Sequence, residues 1–339
     1  MERKLASIRK ILDLKPIEGA DNIELAIVDG WQVVVAKNVE HKVGDFIVYC
    51  EIDSFLPIKE EFEFLRKSSY KKMGEVEGFR LRTAKMMGQI SQGLILPISV
   101  LGSKIFLEEG MDVTEMLGIV KYEPPIPAEL AGKVKGIFPS FIHKTDEIRV
   151  QNIPDEYKTY IESNDNFYIT EKLDGSSATF YINNGEFGVC SRNLELLETE
   201  GNTFWKVARE LDLEIKMRAK NKNFAIQGEL IGEGIQGNPY KIKGHTVMFF
   251  TAFDIDTQKR FNYADFAMFM ARNQLEVAPL LSIRVGTDLP KTTDELLKFA
   301  EGKSSLNEKT EREGIVIRTS DNVISFKAIS NKFLLKDKN

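Results

Sequence analysis

The stretch "NFYITEKLDGSSATFYI", residues 166–182, holds two apolar runs separated by Lys172 and the segment Leu173–Asp174–Gly175. Aromatic and β-branched runs of this length are typical of strands, and Asp-Gly is a turn signal. The pattern predicts a buried hairpin with a lysine at its mouth. That lysine is either a solvated turn residue or a nucleophile. A nucleophile must react as the free amine, which requires a pKa lowered from about 10.4 by burial or by nearby positive charge.

Composition limits the classes of protein to consider. The chain has 339 residues, which is enough for two domains with separate cores. Its 2 cysteines and 3 histidines exclude a disulfide framework and make a His-rich metal centre a poor fit. No apolar run is long enough to span a bilayer and the first residues do not resemble a signal peptide, so we expect an intracellular protein without a membrane partner. The net charge of −5 argues against a global electrostatic grip on nucleic acid but leaves room for a local basic patch.

The order of patterns predicts an α+β protein of two domains. Short strand-like runs, among them 23–37 with an Asp29–Gly30 turn, predict an OB-like β-barrel over residues 1–120. A β-barrel without a ligand would give the same pattern. Prolines and glycines over residues 121–141 predict a linker, and residues 142–339 mix strands with helical periodicity.

A series of motifs follows Lys172 in a fixed order. Arg192 lies in "CSRN" and Glu229 in "FAIQGELIG"; "FFTAFDID", "EGIVIR" and "ISFKAIS" come after them. This succession resembles the covalent nucleotidyltransferases, the superfamily of polynucleotide ligases and mRNA capping enzymes. The resemblance covers residues 166–333. It implies a nucleotidyltransferase domain, ATP-grasp-like, made of antiparallel sheets with flanking helices, and a lysyl-nucleotide intermediate.

The resemblance also implies a role for individual residues. Lys172 would attack the α-phosphate of ATP, and Lys327 would neutralise that phosphate. Glu229 would contact the ribose or orient metal waters, and Glu313 would position hydrated magnesium. The full set that it implies is Lys172, Lys327, Glu229 and Glu313 for catalysis; Asp174, Glu229 and Glu313 for Mg²⁺ or Mn²⁺, held through water; and Thr170, Glu171, Asp174, Ser177, Arg192, Phe253, Ile315 and Arg149 for ATP.

Some of these residues also have ordinary explanations. Phe253 and Ile315 would stack on the two faces of adenine, although an aromatic in "FFTAFDI" is more often part of a core. Arg192 would hold a phosphate, or it is an exposed charge on a strand. Arg149 would contact the ATP phosphates, or it is an arginine of the linker region.

The branch of the superfamily is suggested by the two ends of the chain. Only 12 residues follow Lys327, whereas DNA ligases and capping enzymes carry a further barrel there. With the amino-terminal strands, the sequence resembles the nick-sealing RNA ligases known from Deinococcus and Naegleria. This implies a monomer that uses ATP and a divalent metal to join a 3′-OH RNA end to a 5′-phosphate in a nicked duplex. A reduced DNA ligase and a non-catalytic RNA-binding protein on a ligase scaffold are the alternatives.

Two positions depart from the phage duplex-RNA ligases. Ser177 stands where those enzymes have asparagine, and Ile329 where they have a second lysine. Basic residues of the barrel are candidates for RNA contacts, with Tyr70 as a stacking ring, although scattered basic residues are often only solvated surface. These candidates are Arg80, Arg82, Lys85, Lys71 and Lys72.

Overall fold

The computed structural model describes residues 3–102, 106–124 and 132–336. The chain divides into two compact units: unit 1 is Met1–Ile126 with Leu334–Asn339, and unit 2 is Pro127–Phe333. In the described ranges, no helix has the length and apolar character needed to cross a membrane.

Unit 1 is built from short antiparallel strands. Its hairpin at Asp29–Gly30 joins Val28 to Trp31, and both turn residues have positive φ, as the predicted two-residue turn requires. The strands pair as β1-β5-β11, β2-β3-β4, β12-β6-β8-β7 and β9-β10. The strands are β1 (Ala6–Lys10), β2 (Asp13–Pro16), β3 (Ile23–Val28), β4 (Trp31–Ala36), β5 (Phe46–Cys50), β6 (Ser54–Pro57), β7 (Tyr70–Met73), β8 (Val76–Arg80), β9 (Ala84–Met86), β10 (Gln89–Ser91), β11 (Leu94–Pro97) and β12 (Val120–Lys121).

Unit 2 contains two sheets. The larger sheet has the order β13-β18-β17-β16-β19-β20-β21, and the smaller sheet has the order β14-β24-β23-β15-β22. Their strands are β13 (Val134–Ile137), β14 (Ile148–Arg149), β15 (Asn166–Lys172), β16 (Ser176–Asn183), β17 (Glu186–Cys190), β18 (Leu194–Leu196), β19 (Phe224–Gly232), β20 (His245–Asp254), β21 (Lys259–Arg260), β22 (Leu280–Val285), β23 (Gly314–Thr319) and β24 (Ser325–Ile329).

The helices are short and follow the apolar periodicity of the sequence. The region 203–220, expected to be helical, forms two helices, and the region 261–275 forms one. The helices are α1 (Arg66–Ser69), α2 (Thr114–Leu117), α3 (Pro154–Tyr160), α4 (Thr203–Glu210), α5 (Leu213–Arg218), α6 (Tyr263–Arg272), α7 (Thr293–Ala300) and α8 (Asn331–Leu335). Among the described residues, 3₁₀ turns are formed by Lys37–Val39, Glu60–Leu65, Ile98–Leu101, Val150–Asn152 and Gly286–Asp288.

The predicted hairpin around Lys172 is wrong. Strand β15 pairs with β22 and β23 in the smaller sheet, whereas β16 pairs with β17 and β19 in the larger sheet. Leu173–Asp174–Gly175 is therefore a crossover between sheets. A Cβ on Gly175 would lie 2.5 Å from the Leu230 carbonyl oxygen, so only glycine lets the chain pass this close to β19. Residues 166–182 do not indicate this crossover, because the sequence pattern of two apolar runs is the same whether the two strands pair in one sheet or belong to two sheets.

The segment expected to be a linker, 121–141, contributes structure at both ends. Lys121 belongs to β12, which pairs with β6 in unit 1. Val134–Ile137 forms β13, which pairs with β18 at the edge of the larger sheet. Residues 125–131, in the middle of the expected linker, lie outside the described residues. The linker boundaries remain a proposal.

A buried ion-pair network joins the smaller sheet to the residues before β14. Glu147 accepts hydrogen bonds from Arg318, at 2.9 Å, and from the hydroxyl of Ser325, and it lies 3.6 Å from Arg260. Burial by itself would raise the pKa of Glu147, but the two guanidinium groups and the hydroxyl outweigh it, and the net pKa is lowered. The carboxylate is therefore charged throughout the neutral range.

We predict that Glu147→Gln lowers the free energy of unfolding at pH 7 by about 3–5 kcal/mol, because Arg318 is left buried without its counter-charge. A carboxyl with a depressed pKa stabilises the fold above its unfolded pKa, about 4.3, and the stabilisation is lost as the pH falls through the folded pKa. The difference between wild type and variant should therefore shrink below about pH 4. Thermal and urea unfolding between pH 3 and 7 measure it.

The control is Glu198→Gln, which removes an exposed carboxylate that pairs with Arg209. Surface pairs contribute little, so its stability should stay close to that of the wild type. An equal loss in both variants, or a loss from Glu147→Gln that is the same at pH 3 and pH 7, would contradict the role of the buried network.

Candidate active site

A cavity of about 480 Å³ opens between the two sheets of unit 2. The smaller sheet contributes side chains from β15, β23 and β24, and the larger sheet contributes them from β16, β19 and β20. Strand alternation explains which residues reach it, because Thr170, Val316 and Lys327 are cross-strand partners on one face. Pairing thus gathers positions that are far apart in the sequence.

Lys172 lies in the cavity beside carboxylates. Its Nζ donates to Glu313 Oε2 at 2.6 Å, and both side chains are partly buried. Burial alone would lower the pKa of Lys172, but the charges of Glu313, Glu229 and Asp174 outweigh it, and the pKa is raised. The expectation of a lowered pKa is therefore not met in this arrangement. A nucleophile here requires another positive charge among the carboxylates.

Lys327 has the opposite electrostatic character. Burial, with the positive charges of Lys172 and Arg149, lowers the pKa of Lys327 to about 7. Arg149 lies next to it as its register partner in the parallel pair of β14 and β24. Ile329, two residues after Lys327, is buried opposite Gly314, so an apolar side chain occupies that row of the sheet.

Glu229, Asp174 and Ser177 line the same cavity. Glu229 Oε1 accepts from the backbone N–H of Gly175 at 3.1 Å, and Ser177 pairs with Glu229 in the register of β16 and β19. Burial raises the pKa of Glu229 to about 7, although Lys172 opposes the shift. A cation bound nearby would favour the charged form of this buried carboxyl.

The carboxylates of Asp174, Glu229 and Glu313 suit a hard divalent cation. Mg²⁺ and Mn²⁺ prefer oxygen ligands, and Mg²⁺ usually keeps several waters. Among the described residues, no three acidic, histidine or cysteine side chains converge closely enough to hold a metal directly. The donor set therefore fits a cation held through water better than one bound in a closed protein cage.

Arg192 lines the cavity at a more exposed place than Lys172. Its Nη2 donates to Asp146 Oδ1 at 2.7 Å, and 63% of its side chain is exposed. A guanidinium with this freedom can exchange an exposed carboxylate for a phosphate. The phosphate contact of Arg192 stays a prediction.

The aromatic ring on the β20 side of the cavity belongs to Phe250, whereas the resemblance implied Phe253. Among the described residues, Phe253 lies in a separate apolar cluster, with its ring 4.9 Å from that of His143. In the β19–β20 pair, Gln227 opposes Thr251 and Gly228 opposes Phe249, so Phe250 is the extra residue of a β-bulge. A bulge re-aims the side chain, which simple alternation cannot foresee. The Arg318 guanidinium stacks on the Phe250 ring at 5.4 Å.

The apolar side chain from β23 is also different from the expected one. Ile315 is fully buried in the core beneath the smaller sheet, and Val316 lines the cavity. Successive side chains of a strand point to opposite faces, and Arg318 shares the cavity face with Val316. In the sequence, Val316 and Arg318 alternate with Ile315 and Ile317. This alternation was the signal that could have identified Val316 as the residue facing the cavity.

Thr170 and Glu171, for which the resemblance implies ATP contacts, both line the cavity, and the backbone N–H of Glu171 is already engaged. Its N–H donates to the Pro279 carbonyl at 2.9 Å, and its Oε2 accepts from the N–H of Ser305 at 2.7 Å. Glu171 thus ties the strand before Lys172 to two neighbouring segments. A contact from that N–H to ATP would require it to leave the Pro279 carbonyl.

Three of the five basic residues of unit 1 that are candidates for RNA contacts are engaged with other groups of the protein. Arg80 pairs with Asp53 at 3.0 Å and stacks on Tyr122, and Lys72 pairs with Glu77. Lys85 donates to the carbonyls of Leu335 and Lys336. Arg82 and Lys71 are exposed. Contacts to RNA by these residues stay a prediction.

Comparisons with known proteins agree with this fold. An RNA ligase family model matches residues 165–336, and an OB-fold domain family model matches residues 5–98. A variant of the Naegleria gruberi RNA ligase with ATP and Mn is 41% identical, with a TM-score of 0.83 over 99% of each chain. The Naegleria gruberi RNA ligase with PPi is 41% identical, with a TM-score of 0.82 over 99% of each chain. A comparison with curated proteins gives no match.

These findings confirm the α+β fold, with an OB-fold domain ahead of a nucleotidyltransferase domain of antiparallel sheets. The family model spans the strands that carry Lys172, Glu229 and Lys327. Because the family model covers half of the chain and the structural match nearly all of it, the chain belongs to the RNA ligase family and is a ligase enzyme.

Proposed function

We propose that this protein uses ATP and a divalent metal to join a 3′-OH RNA end to a 5′-phosphate in a nicked duplex. The observation that carries the proposal is the convergence of Lys172, Glu229, Glu313 and Lys327 on one cavity. A lysine in contact with carboxylates, with a second buried cation nearby, is an arrangement that suits transfer of a nucleotidyl group. The complexes of the related Naegleria gruberi enzyme with ATP and Mn support this choice of nucleotide and metal.

The reaction that we propose has three steps. Lys172 Nζ attacks the α-phosphorus of ATP, a P–N bond forms, and pyrophosphate leaves. Glu313 accepts the hydrogen bond from the Lys172 ammonium and lies where its proton departs. The RNA 5′-phosphate then displaces the lysine and becomes adenylated, and finally the 3′-OH attacks that phosphate and releases AMP.

Each proposed contact to ATP has a named residue. Phe250 and Val316 offer apolar surfaces to the adenine ring from opposite sheets. Lys327 and Arg149 would stabilise charge on the α-phosphate, and Arg192 would hold another phosphate. Phosphoryl transfer depends on such positioning and on cations placed where negative charge builds up.

A divalent cation held through water by Asp174, Glu229 and Glu313 would supply the positive charge that competes with Lys172 for these carboxylates. The chain's own contribution is the placement of the oxygens. Glu313 lies within hydrogen-bonding distance of Lys172, and Glu229 and Asp174 raise the pKa of its amine. Neutralising them would lower that pKa towards the range in which a lysine can attack.

We predict that Lys172→Ala abolishes the covalent adduct formed with labelled ATP, because the variant lacks the attacking amine. The adduct of the wild-type protein should be stable to alkali and labile to acid, as expected of a phosphoramidate, and neither GTP nor NAD should replace ATP. Gel electrophoresis of the labelled protein measures it. The control is Lys206→Ala on the exposed surface of α4, which should label like the wild type. An adduct retained by Lys172→Ala would identify another nucleophile.

Phe250→Ala should raise the ATP concentration needed for half-maximal adduct formation by about tenfold or more. Stacking of a base on an aromatic ring contributes about 1–3 kcal/mol, and about 1.4 kcal/mol corresponds to tenfold. Phe250→Tyr keeps the ring and should stay within about threefold of wild type on that energy scale. Unchanged ATP dependence in Phe250→Ala would show that the ring does not contact the base.

A nicked duplex with an RNA 3′-OH end should be sealed faster than the same duplex with a DNA 3′-OH end. The 2′-hydroxyl is the chemical difference that a protein can read at that position. Sealing is measured by denaturing electrophoresis of a 5′-labelled strand, with a nick lacking the 5′-phosphate as the control. Equal rates with RNA and DNA ends would favour a ligase without preference for an RNA end.

A further inference from the structure

Residues to which we assign functions lie at both ends of the crossover Leu173–Asp174–Gly175. The crossover leaves the smaller sheet directly after Lys172 and enters the larger sheet at β16. It therefore cannot depend on a strand ladder for its position. It is held by side chains of other elements: Glu229 of β19 accepts from the N–H of Gly175, and the Tyr240 hydroxyl accepts from the N–H of Asp174 at 2.6 Å. Tyr240 lies in the loop between β19 and β20, residues 233–244, which we call the clamp loop.

A second clamp-loop residue contacts the same crossover. Gln236 Nε2 donates to the Gly175 carbonyl at 3.3 Å, and Gln236 lines the cavity. The clamp loop therefore reaches the crossover at both the Asp174 N–H and the Gly175 carbonyl. Of the two contacts, the Tyr240 bond is the shorter and the more buried, since Tyr240 is 5% exposed.

Tyr240 is itself held in place. Its ring belongs to an apolar cluster with Leu173, Ile231 and Met248, so the residue directly after Lys172 is part of the same cluster. The carbonyl of Pro239 accepts from Asn307 Nδ2 at 2.8 Å and from Thr310 Oγ1 at 3.2 Å. These partners lie in the segment that leads to Glu313.

We propose that Tyr240 is a positioning residue for the adenylylation step, acting through the backbone of Asp174. Its hydroxyl fixes the peptide that follows Leu173, and with it the directions of the Lys172 amine and the Asp174 carboxylate. Because the clamp loop is also hydrogen-bonded to the segment before Glu313, it fixes the position of Lys172 relative to Glu313. The inference rests on the proposed function, since it assigns Lys172 as the nucleophile.

The geometry separates this role from simple packing. The ring of Tyr240 fills the space next to Leu173, and a phenylalanine would fill it equally well. Only the hydroxyl reaches the N–H of Asp174. Loss of the hydroxyl would leave that N–H without its acceptor and allow the crossover to shift, and shifts near 1 Å can cost about a hundredfold in rate.

Tyr240→Phe is the test, with Tyr157→Phe as the matched control. Tyr157 is also buried, and its hydroxyl donates to the Pro290 carbonyl at 2.7 Å in the core of the smaller sheet. Both changes remove one hydroxyl from a buried tyrosine that bonds to the backbone. Thermal unfolding should therefore show losses of similar size in the two variants.

Single-turnover formation of the lysyl adduct should distinguish them. At saturating ATP we expect Tyr240→Phe to be slower than wild type by about tenfold or more, and Tyr157→Phe to match wild type. The ATP concentration for half-maximal rate should stay unchanged in both, because the adenine contacts lie on other strands. The Mn²⁺ concentration for half-maximal rate should rise only in Tyr240→Phe, since Asp174 is displaced.

Each result decides between the two proposals. No adduct from the wild type overturns the proposed function. An adduct in the wild type, with equal rates in Tyr240→Phe, or with the same slowing in both variants, overturns the role of Tyr240. If Tyr240→Phe does not fold, Asn307→Ala loosens the clamp loop at Pro239 and should slow the same step without changing the ATP dependence. A wild-type rate of adduct formation in Asn307→Ala would also overturn the positioning role of Tyr240.

Discussion

The contact between Lys172 and Glu313 is the interaction on which the site depends. The ammonium and the carboxylate meet at 2.6 Å, with Glu229 contributing to the same field. Outside water, these charges are expensive to separate and expensive to leave unpaired. The site therefore holds Lys172 as a stable cation, and the proposed attack by its amine requires a competing positive charge.

Strand pairing brings the members of this site together over long sequence distances. Lys172 pairs with Gly314, and Gly314 pairs with Ile329, so three segments meet in one row of the smaller sheet. Ser177 pairs with Glu229 in the larger sheet. The crossover at Gly175 connects the two sheets and places one wall of the cavity against the other. Lys172 and Lys327 of the smaller sheet thus face carboxylates that both sheets contribute.

The order of motifs was enough to predict the fold class and several of the charged residues that line the cavity, but it did not indicate Lys144, Asp146, Glu147 or Arg318, which line it too. Lys172, Glu229 and Lys327 all line it, as expected from the resemblance to the nucleotidyltransferases. The two apolar positions at the cavity were each misplaced. Phe250 replaces Phe253 because a β-bulge interrupts the alternation of β20, and a bulge has no marker in one sequence. Val316 lines the cavity instead of Ile315 because it shares a face of β23 with Arg318, and the alternation with Ile315 and Ile317 was the signal for that face.

The amino-acid sequence by itself determined the chemical inventory: which lysines, carboxylates and aromatic residues exist, and in what order they follow one another along strands and turns. Only the tertiary structure decided that β15 and β16 belong to different sheets and that Tyr240 reaches the turn between them. It also decided that the pKa of Lys172 is raised while that of Lys327 is lowered. The physical reason is that local pattern sets strand propensity, whereas partner choice and electrostatic environment are set by contacts between distant residues.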